Sequence, residues 1–567
     1  MKQRMLLIGA AVLLAASIGG AQWSSSASVN TTICTGNKDR SSKQIVSDGS
    51  GGLLIAWYED STGGFGNTNV QRLNASGTAL WAAGGLRVCT GVGPVEAPAI
   101  ASDGAGGALV AWKDSRDGDT TRIYAQRVSA AGQVQWAANG VNVSGYFDIE
   151  DFEPQMVSDG AGGAFVSWDG PFGVHVVRVN AAGTVLWRTS VVAGWGGSDT
   201  RLAADSAGGV IVAWTDDRGA ILGTGDLADI YAQRLNGSGA PQWHTNGTLV
   251  CNATNLQNYP HVVNDGSGGA IIAWEDFRNG STYKGYAQRI SAAGNRVWIV
   301  SSDSNGVALC KASGSQDEVY PAPDGSGGGI FSWDDSRISS DDIYAQRVGS
   351  TGQLQWDSSG VAICTNSTPQ ANPRIAADGG GGAYIIWDDN RNLALNQDIY
   401  AQRVNGAGQV QWTANGIAVC SASANQNTPL IVQNGSSGFI AIWDDYRNGG
   451  SNNTHPDYYA QRVNSTGTLT EVRVETGTVP GSFVLAQNYP NPFNPTTTIS
   501  YHVPLTTHVS LKVYDVLGRE VAALVDGIQS AGTHTVHLDG SRLTSGVYFC
   551  TMKAEGFTQT RKLALLK

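Results

Sequence analysis

The stretch DGSGGGIFSWDDSRISSDDIYAQRVGSTGQLQWDSSGVAIC, residues 324–364, decides the fold because it recurs. It holds a glycine-rich turn, an apolar run ending in Trp333, the charged string Asp334, Asp335 and Arg337, the tetrapeptide Tyr344-Ala345-Gln346-Arg347, and a closing Cys364. Trp57, Trp112, Trp168, Trp214, Trp274, Trp333, Trp387 and Trp443 mark the same position in eight successive copies. A turn such as Asp265-Gly266-Ser267-Gly268-Gly269 precedes the marker. Glycine supplies the positive φ of a tight hairpin, and aspartate bonds the turn backbone.

Each copy reads as four short strands. The first precedes the turn, as in Pro373-Arg374-Ile375-Ala376-Ala377, and the second follows it, as in Ala270-Ile271-Ile272-Ala273-Trp274. The second is apolar on both faces, so the sheet is covered on both sides. The third carries Tyr-Ala-Gln-Arg, and the fourth starts at strings such as Val410-Gln411-Trp412. A sheet buried on both faces needs a neighbour on each side. Radial repetition provides this, whereas an open solenoid needs polar caps. The eighth copy fades after Gly467-Thr468-Leu469 without a closing cysteine, while Asn30-Thr31-Thr32-Ile33-Cys34 resembles Gly360-Val361-Ala362-Ile363-Cys364. The expectation is an all-β chain: an eight-bladed β-propeller of four-stranded antiparallel blades over 22–470, closed by the N-terminal strand. Copy three, with Trp168-Asp169-Gly170 and no Tyr-Ala-Gln-Arg, predicts the least regular blade.

Composition narrows the partners. The chain has 36 basic and 47 acidic side chains and a net charge of −11, which argues against nucleic acid. Lys2 and Arg4 precede an apolar run and then Gly19-Gly20-Ala21, the order of a secretory signal peptide over 1–21. That run is too short to span a bilayer, and no other stretch predicts a transmembrane anchor. Cys34, Cys89, Cys251, Cys310, Cys364 and Cys420 recur at one place in the repeat, without the spacing of a zinc site. Equivalent positions in adjacent blades lie too far apart for disulfides, which predicts free thiols.

After a linker over 471–481, residues 482–567 alternate as a small antiparallel β-sandwich. This module closely resembles the C-terminal sorting domain of the bacterial type IX secretion system. The matching residues are Asn488, Tyr489, Pro490, Asn491, Pro492, Phe493, Asn494 and Pro495, then Gly518 and Arg519, Gly546 and Tyr548, and Lys562. The resemblance implies a passenger of the type IX machinery, carried through the periplasm and either attached to the cell surface or released. The repeats resemble tandem repeats of other exported bacterial proteins, which brings no defined activity.

The repeated charged residues are the first place to seek chemistry. Asp216 and Arg218, Asp276 and Arg278, Asp335 and Arg337, Asp389 and Arg391, and Asp445 and Arg447 end the second strand on a face shared with polar connections. One reading makes them a glycan-binding face. The other makes them structural, because packing repeats with the fold and catalysis breaks symmetry. Paired with the arginine of Tyr-Ala-Gln-Arg, they would fix loops between blades. A calcium loop at 114–119 is weak, because Arg116 intrudes and no glutamate completes it; no other cofactor is implied. No nucleophile elbow or His-Glu-x-x-His appears, and a glycoside-cleaving pair would come from Asp216, Glu275 or Asp334. The leading expectation is a binding module for a glycan or a surface protein. The alternatives are a polysaccharide-acting enzyme and a purely structural surface or adhesion component.

Overall fold

The computed structural model describes residues 23–566, except 37, 61–65, 90–94, 117, 119–120, 146–152, 171–172, 193–195, 222–227, 300–303, 339, 393–395, 436–437, 450–454, 471–482, 486, 489–490, 504–506 and 530–531. The signal-peptide segment 1–21, the whole linker 471–481, and Tyr489 and Pro490 therefore lie outside the described residues. The chain divides into two compact units, Met1–Val472 and Arg473–Lys567. Strands make up nearly all regular structure; the described residues add a single helical turn, Arg218–Ile221.

The first unit contains eight four-stranded antiparallel sheets. In the sixth, the strands Gln316–Pro323, Gly329–Asp335, Asp342–Val348 and Val361–Cys364 pair in chain order. The second strand lies between two neighbouring sheets, which is why both its faces are apolar: Ile330, Phe331 and Trp333 are fully buried. The eight first strands each border the next, and Gln426–Gln433 borders Asp39–Ser47, so they surround one axis.

The circle closes through the N-terminus. Thr31–Cys34 pairs antiparallel with Asp457–Asn464 as the fourth strand of the last sheet. Trp23 completes the substitution. At the junction of copies six and seven, Trp356 Nε1 and Arg347 Nη1 both donate to Gly406 O, at 3.1 and 3.0 Å. At the closing junction, Trp23 Nε1 and Arg462 Nη1 both donate to Ala75 O, at 2.8 and 3.2 Å. Trp23 is fully buried there.

One sequence expectation changes. The Val-Gln-Trp strings are not the fourth strand: Val410 makes one isolated bridge to Val404, and the strand is Ile417–Cys420. The cause is Gln402, whose Oε1 accepts from Trp412 N at 3.0 Å and whose Nε2 donates to Thr413 O at 2.9 Å. One glutamine side chain thus occupies the backbone that a ladder would use. Copy three keeps four strands but is irregular, as expected: its first strand Gln155–Ser158 has four residues where Gln316–Pro323 has eight, and its fourth strand Val185–Ser190 is longer than Val361–Cys364. What copy three lacks is a side-chain clasp, described below.

In the second unit a three-stranded sheet and a four-stranded sheet enclose Leu485, Ile499, Leu511, Tyr548, Cys550 and Leu563.

Candidate functional site at the ring axis

The repeated Asp and Arg residues are consumed inside the fold. Asp335 is fully buried. Its Oδ1 accepts from Arg337 N and Nε at 3.0 and 2.6 Å; its Oδ2 accepts from Trp333 Nε1 at 2.8 Å and Arg337 Nη2 at 2.6 Å. Arg337 lies 3.6 Å over the ring of Tyr344, and its Nη2 reaches Cys310 Sγ of the preceding copy at 3.2 Å. The same clasp holds Asp276 with Arg278, Asp389 with Arg391, and Asp445 with Arg447. Asp216 with Arg218 repeats it, over Tyr231. These ten residues join marker Trp, Tyr and loop into one unit, and no carboxylate oxygen remains for a ligand. Charge-assisted bonds of this kind position groups more firmly than neutral ones.

The arginine of Tyr-Ala-Gln-Arg does not join that clasp. Arg347 pairs with the turn residue Asp324, Nη2 to Oδ2 at 2.9 Å, while Asp324 Oδ1 accepts from Ser326 N and Gly328 N. The sequence pairs these charges differently because it shows spacing and not which end of the sheet a strand presents.

The cysteines are buried and free among the described residues. Burial pushes the Cys251 and Cys364 thiols up to about 12, so they are inert packing groups. The calcium loop is partly outside the described residues, at 117 and 119. Among the described residues, no group of three or more His, Cys, Asp or Glu is placed to hold a metal ion.

Around the axis the repeats stop being alike. Among the described residues, the first strands of seven copies are interrupted by a bulge, as between Asn258 and His261 or between Asp317 and Tyr320; the short first strand of copy three, Gln155–Ser158, pairs without one. The bulge residues Ser42, Ala97, Asp199, Tyr259, Glu318, Asn372 and Thr428 have φ from 46° to 55°. Non-glycine residues hold that conformation only where surroundings enforce it, and such strain clusters at functional sites. The next register position is occupied in turn by Gln44, Ala99, Gln155, Arg201, His261, Tyr320, Arg374 and Leu430. Each faces the residue just before a marker Trp.

Carboxylates stand beside this layer, at the position after the marker. Glu275 Oε1 accepts from Glu318 N of the next copy at 2.8 Å. Asp388 Oδ2 accepts from Asn372 Nδ2 at 2.7 Å and from Thr428 N at 3.3 Å, while its Oδ1 has no partner. Asp444 binds Lys43 and Thr428. Burial raises Glu275 and Asp388 to about 7 and Asp169 to about 6, and raises Asp334 well above the carboxylate range. Removal from water disfavours their charged forms, and backbone N–H donors only partly offset that cost. Tyr259, half exposed, offers an aromatic face at the rim. Of the acids named from sequence, the structure brings Glu275 and Asp334 to this ring and leaves Asp216 in a clasp. Sequence reasoning missed Arg201, His261, Tyr320, Arg374 and Asp388. The available signal was variation at one position of an otherwise regular repeat.

In the second unit the motif residues hold the chain ends together. Asn491 Nδ2 donates to Lys562 O at 3.0 Å, and Ala564 N donates to Asn491 Oδ1 at 2.8 Å. Phe493 N donates to Ala564 O. Asp515 caps the turn at Gly518 and pairs with Arg519. Residues 487–565 match the family model of the secretion system C-terminal sorting domain. The C-terminal unit is a type IX sorting domain. The protein is therefore handled by the type IX machinery, secreted and placed at the cell surface. No helix among the described residues is long and apolar enough to cross a membrane.

No curated protein matches the chain. Among solved structures it is similar to a eukaryotic initiation factor, at 11% identity and TM-score 0.39, over 80% of this chain and 95% of the other. A Hadza microbial sialidase shares 11% identity at TM-score 0.31, over 61% of this chain and 74% of its own. An α-L-arabinofuranosidase of Fusarium graminearum, solved with arabinobiose, shares 13% at TM-score 0.35, over 55% and 91%.

Proposed function

We propose that the first unit is an eight-bladed β-propeller that binds glycan at the cell surface through the mouth of its axial channel. One observation carries this reading. Six of the eight copies share the clasp, yet the copies vary at the axis, where Gln44, Ala99, Gln155, Arg201, His261, Tyr320, Arg374 and Leu430 share one register position. The fold does not require those side chains, so their polarity and asymmetry are available for recognition. Directional donors and acceptors beside an exposed tyrosine suit sugar hydroxyls and ring faces. A glycan array probed with the full-length chain tests it. The expected result is retention on a restricted glycan set, lost in Tyr259→Ala with the melting temperature unchanged. Retention of a surface protein but no glycan would favour the protein-partner reading. No partner and no turnover would favour a structural surface or adhesion component.

A second reading, glycoside cleavage, is favoured by Glu275 and the fully buried Asp388, whose carboxyl groups burial raises to about 7 beside the same axial layer. Release of reducing ends from a polysaccharide, abolished in Glu275→Gln, would establish it.

A further inference from the structure

In the sorting domain, the turn after strand Thr507–Tyr514 is capped by Asp515, whose Oδ1 accepts from Leu517 N at 2.9 Å and from Arg519 N at 3.0 Å, while Gly518 takes a left-handed φ of 76°. The same turn occurs in the first unit. Asn180 Oδ1 accepts from Ala182 N and Thr184 N at 3.0 and 2.9 Å, with Gly183 at 81°. Asn464 Oδ1 accepts from Thr466 N and Thr468 N at 3.0 and 2.9 Å, with Gly467 at 82°. The cap residue and the glycine are what this turn needs. The two residues between them are Ala181-Ala182 and Ser465-Thr466 in the first unit, so small or polar side chains satisfy the geometry. In the sorting domain they are Val516 and Leu517, 68% and 74% exposed. Two adjacent large apolar side chains thus stand in water on a turn that does not require them, which marks a contact surface.

The turn forms one wall of a groove of about 560 Å³. The other wall is the segment 542–548, brought alongside because Tyr514 pairs with Phe549 in the four-stranded sheet. Both walls are braced from within. Asp515 Oδ2 accepts from Arg519 Nε at 2.7 Å, and the buried Tyr548 donates its hydroxyl to Thr544 O at 2.8 Å. The groove is therefore formed before a partner arrives, which lowers the entropy lost on binding. Leu517, Val521, Leu543 and Val547 give it an apolar lining, and the exposed Arg519 and Arg542 give it a cationic rim. Among the described residues the lining holds one carboxylate, Asp515, and that is spent on the cap. Residues 473–567 carry eight basic and six acidic side chains, a net +2 in a chain of net −11.

We propose that the Val516-Leu517 tip and this groove are the surface by which a component of the type IX machinery grips the sorting domain, through an apolar segment flanked by carboxylates. The occupant is a protein of that machinery because the match over residues 487–565 assigns the unit to it. The cationic rim calls for an acidic counterpart. An apolar tip with cationic flanks also suits an anionic membrane, but a membrane surface fills no groove.

The test uses the full-length chain in a cell with a working type IX system. Surface-labelled protein is measured against total for the double variant Val516→Ser/Leu517→Ser. The control is Ile528→Ser, which changes a residue 76% exposed at the far end of the neighbouring strand Glu520–Gln529. The double variant should lose delivery by at least about tenfold, as truncation of central anchors does, at unchanged melting temperature. Ile528→Ser should be delivered normally. Arg542→Glu should also cut delivery, and Arg542→Lys should not. A photoreactive residue in place of Leu517 should form an adduct with a type IX component, identified by mass spectrometry. Normal delivery of the double variant overturns the proposal. So does an equal loss in Ile528→Ser, which would trace the effect to exposed polarity alone. If the double variant fails to fold, Arg542→Glu and the adduct decide. An adduct to lipid or to a second copy of the chain overturns the machinery as the occupant.

Discussion

At the residue scale, the charged groups divide by what remains on them. Asp324 and Asp335 have every oxygen engaged, whereas Asp388 has one oxygen engaged twice and the other bare. Arg347→Ala strands the buried Asp324 carboxylate and should lower unfolding free energy by roughly 2–3 kcal/mol, discounted because Arg347 is partly exposed. Denaturant unfolding reads this, and Arg347→Lys should not restore it, because a lysine cannot present the fork. Asp388 gives a pH signature. Its folded value near 7 lies above the ordinary carboxyl value, so it favours folding where protonated and costs stability as pH rises from about 4 through 7. Asp388→Asn keeps the acceptor and removes the charge. It should raise the melting temperature at pH 8, by on the order of 2–4 kcal/mol in unfolding free energy, and change little at pH 4. A gain of equal size at both pH values would refute that account. The thiols are silent for the same desolvation reason. A thiol reagent should find none in the native protein and seven after denaturation.

At the element scale, the strand pattern was legible and the side-chain bracing was not. The glycine turns, the doubly apolar second strand and Tyr-Ala-Gln-Arg announce hairpins because period and turn chemistry are local. The fourth strand was misplaced because Gln402 substitutes for a strand over residues 412–413, a non-local act with no periodic trace. The glycine before that strand records a close approach instead: a Cβ on Gly360, at φ +79°, would come 2.8 Å from the Trp333 ring. Copies one and three show what the clasp does by lacking it. Trp57 Nε1 and Trp168 Nε1 are buried without partners. A Cβ on Gly170 meets nothing within 4 Å. Gly170→Asn should therefore give Trp168 an acceptor and stabilise the chain by about 1 kcal/mol in denaturant melts; destabilisation would show the space is not usable. Trp23→Ala should cost about 3–5 kcal/mol by emptying a slot that seven other tryptophans fill in turn.

For the whole molecule, export and architecture were readable far ahead of activity. The sorting residues form dense short-range links, such as Asn491 to Lys562 and Asp515 to Arg519, and dense links leave recognisable strings. The axial residues come one from each copy and meet only when the circle closes. No window of sequence contains Arg201 beside His261, Tyr320 and Arg374. Removing residues 473–567 should leave the protein folded but undelivered, confined to the periplasm; surface labelling of intact cells against total protein measures this.

The closing seam has a mechanical side. If the chain is pulled from its C-terminal end, load enters the first unit where the chain leaves the last sheet, just past Leu469. The strand next in line, Asp457–Asn464, is hydrogen-bonded along both edges, to Gly438–Asp445 and to Thr31–Cys34. Tension must shear two ladders before the first copy is disturbed. Under load applied at the C-terminal end, the N-terminal strand therefore adds a second ladder that has to part before the first copy is reached.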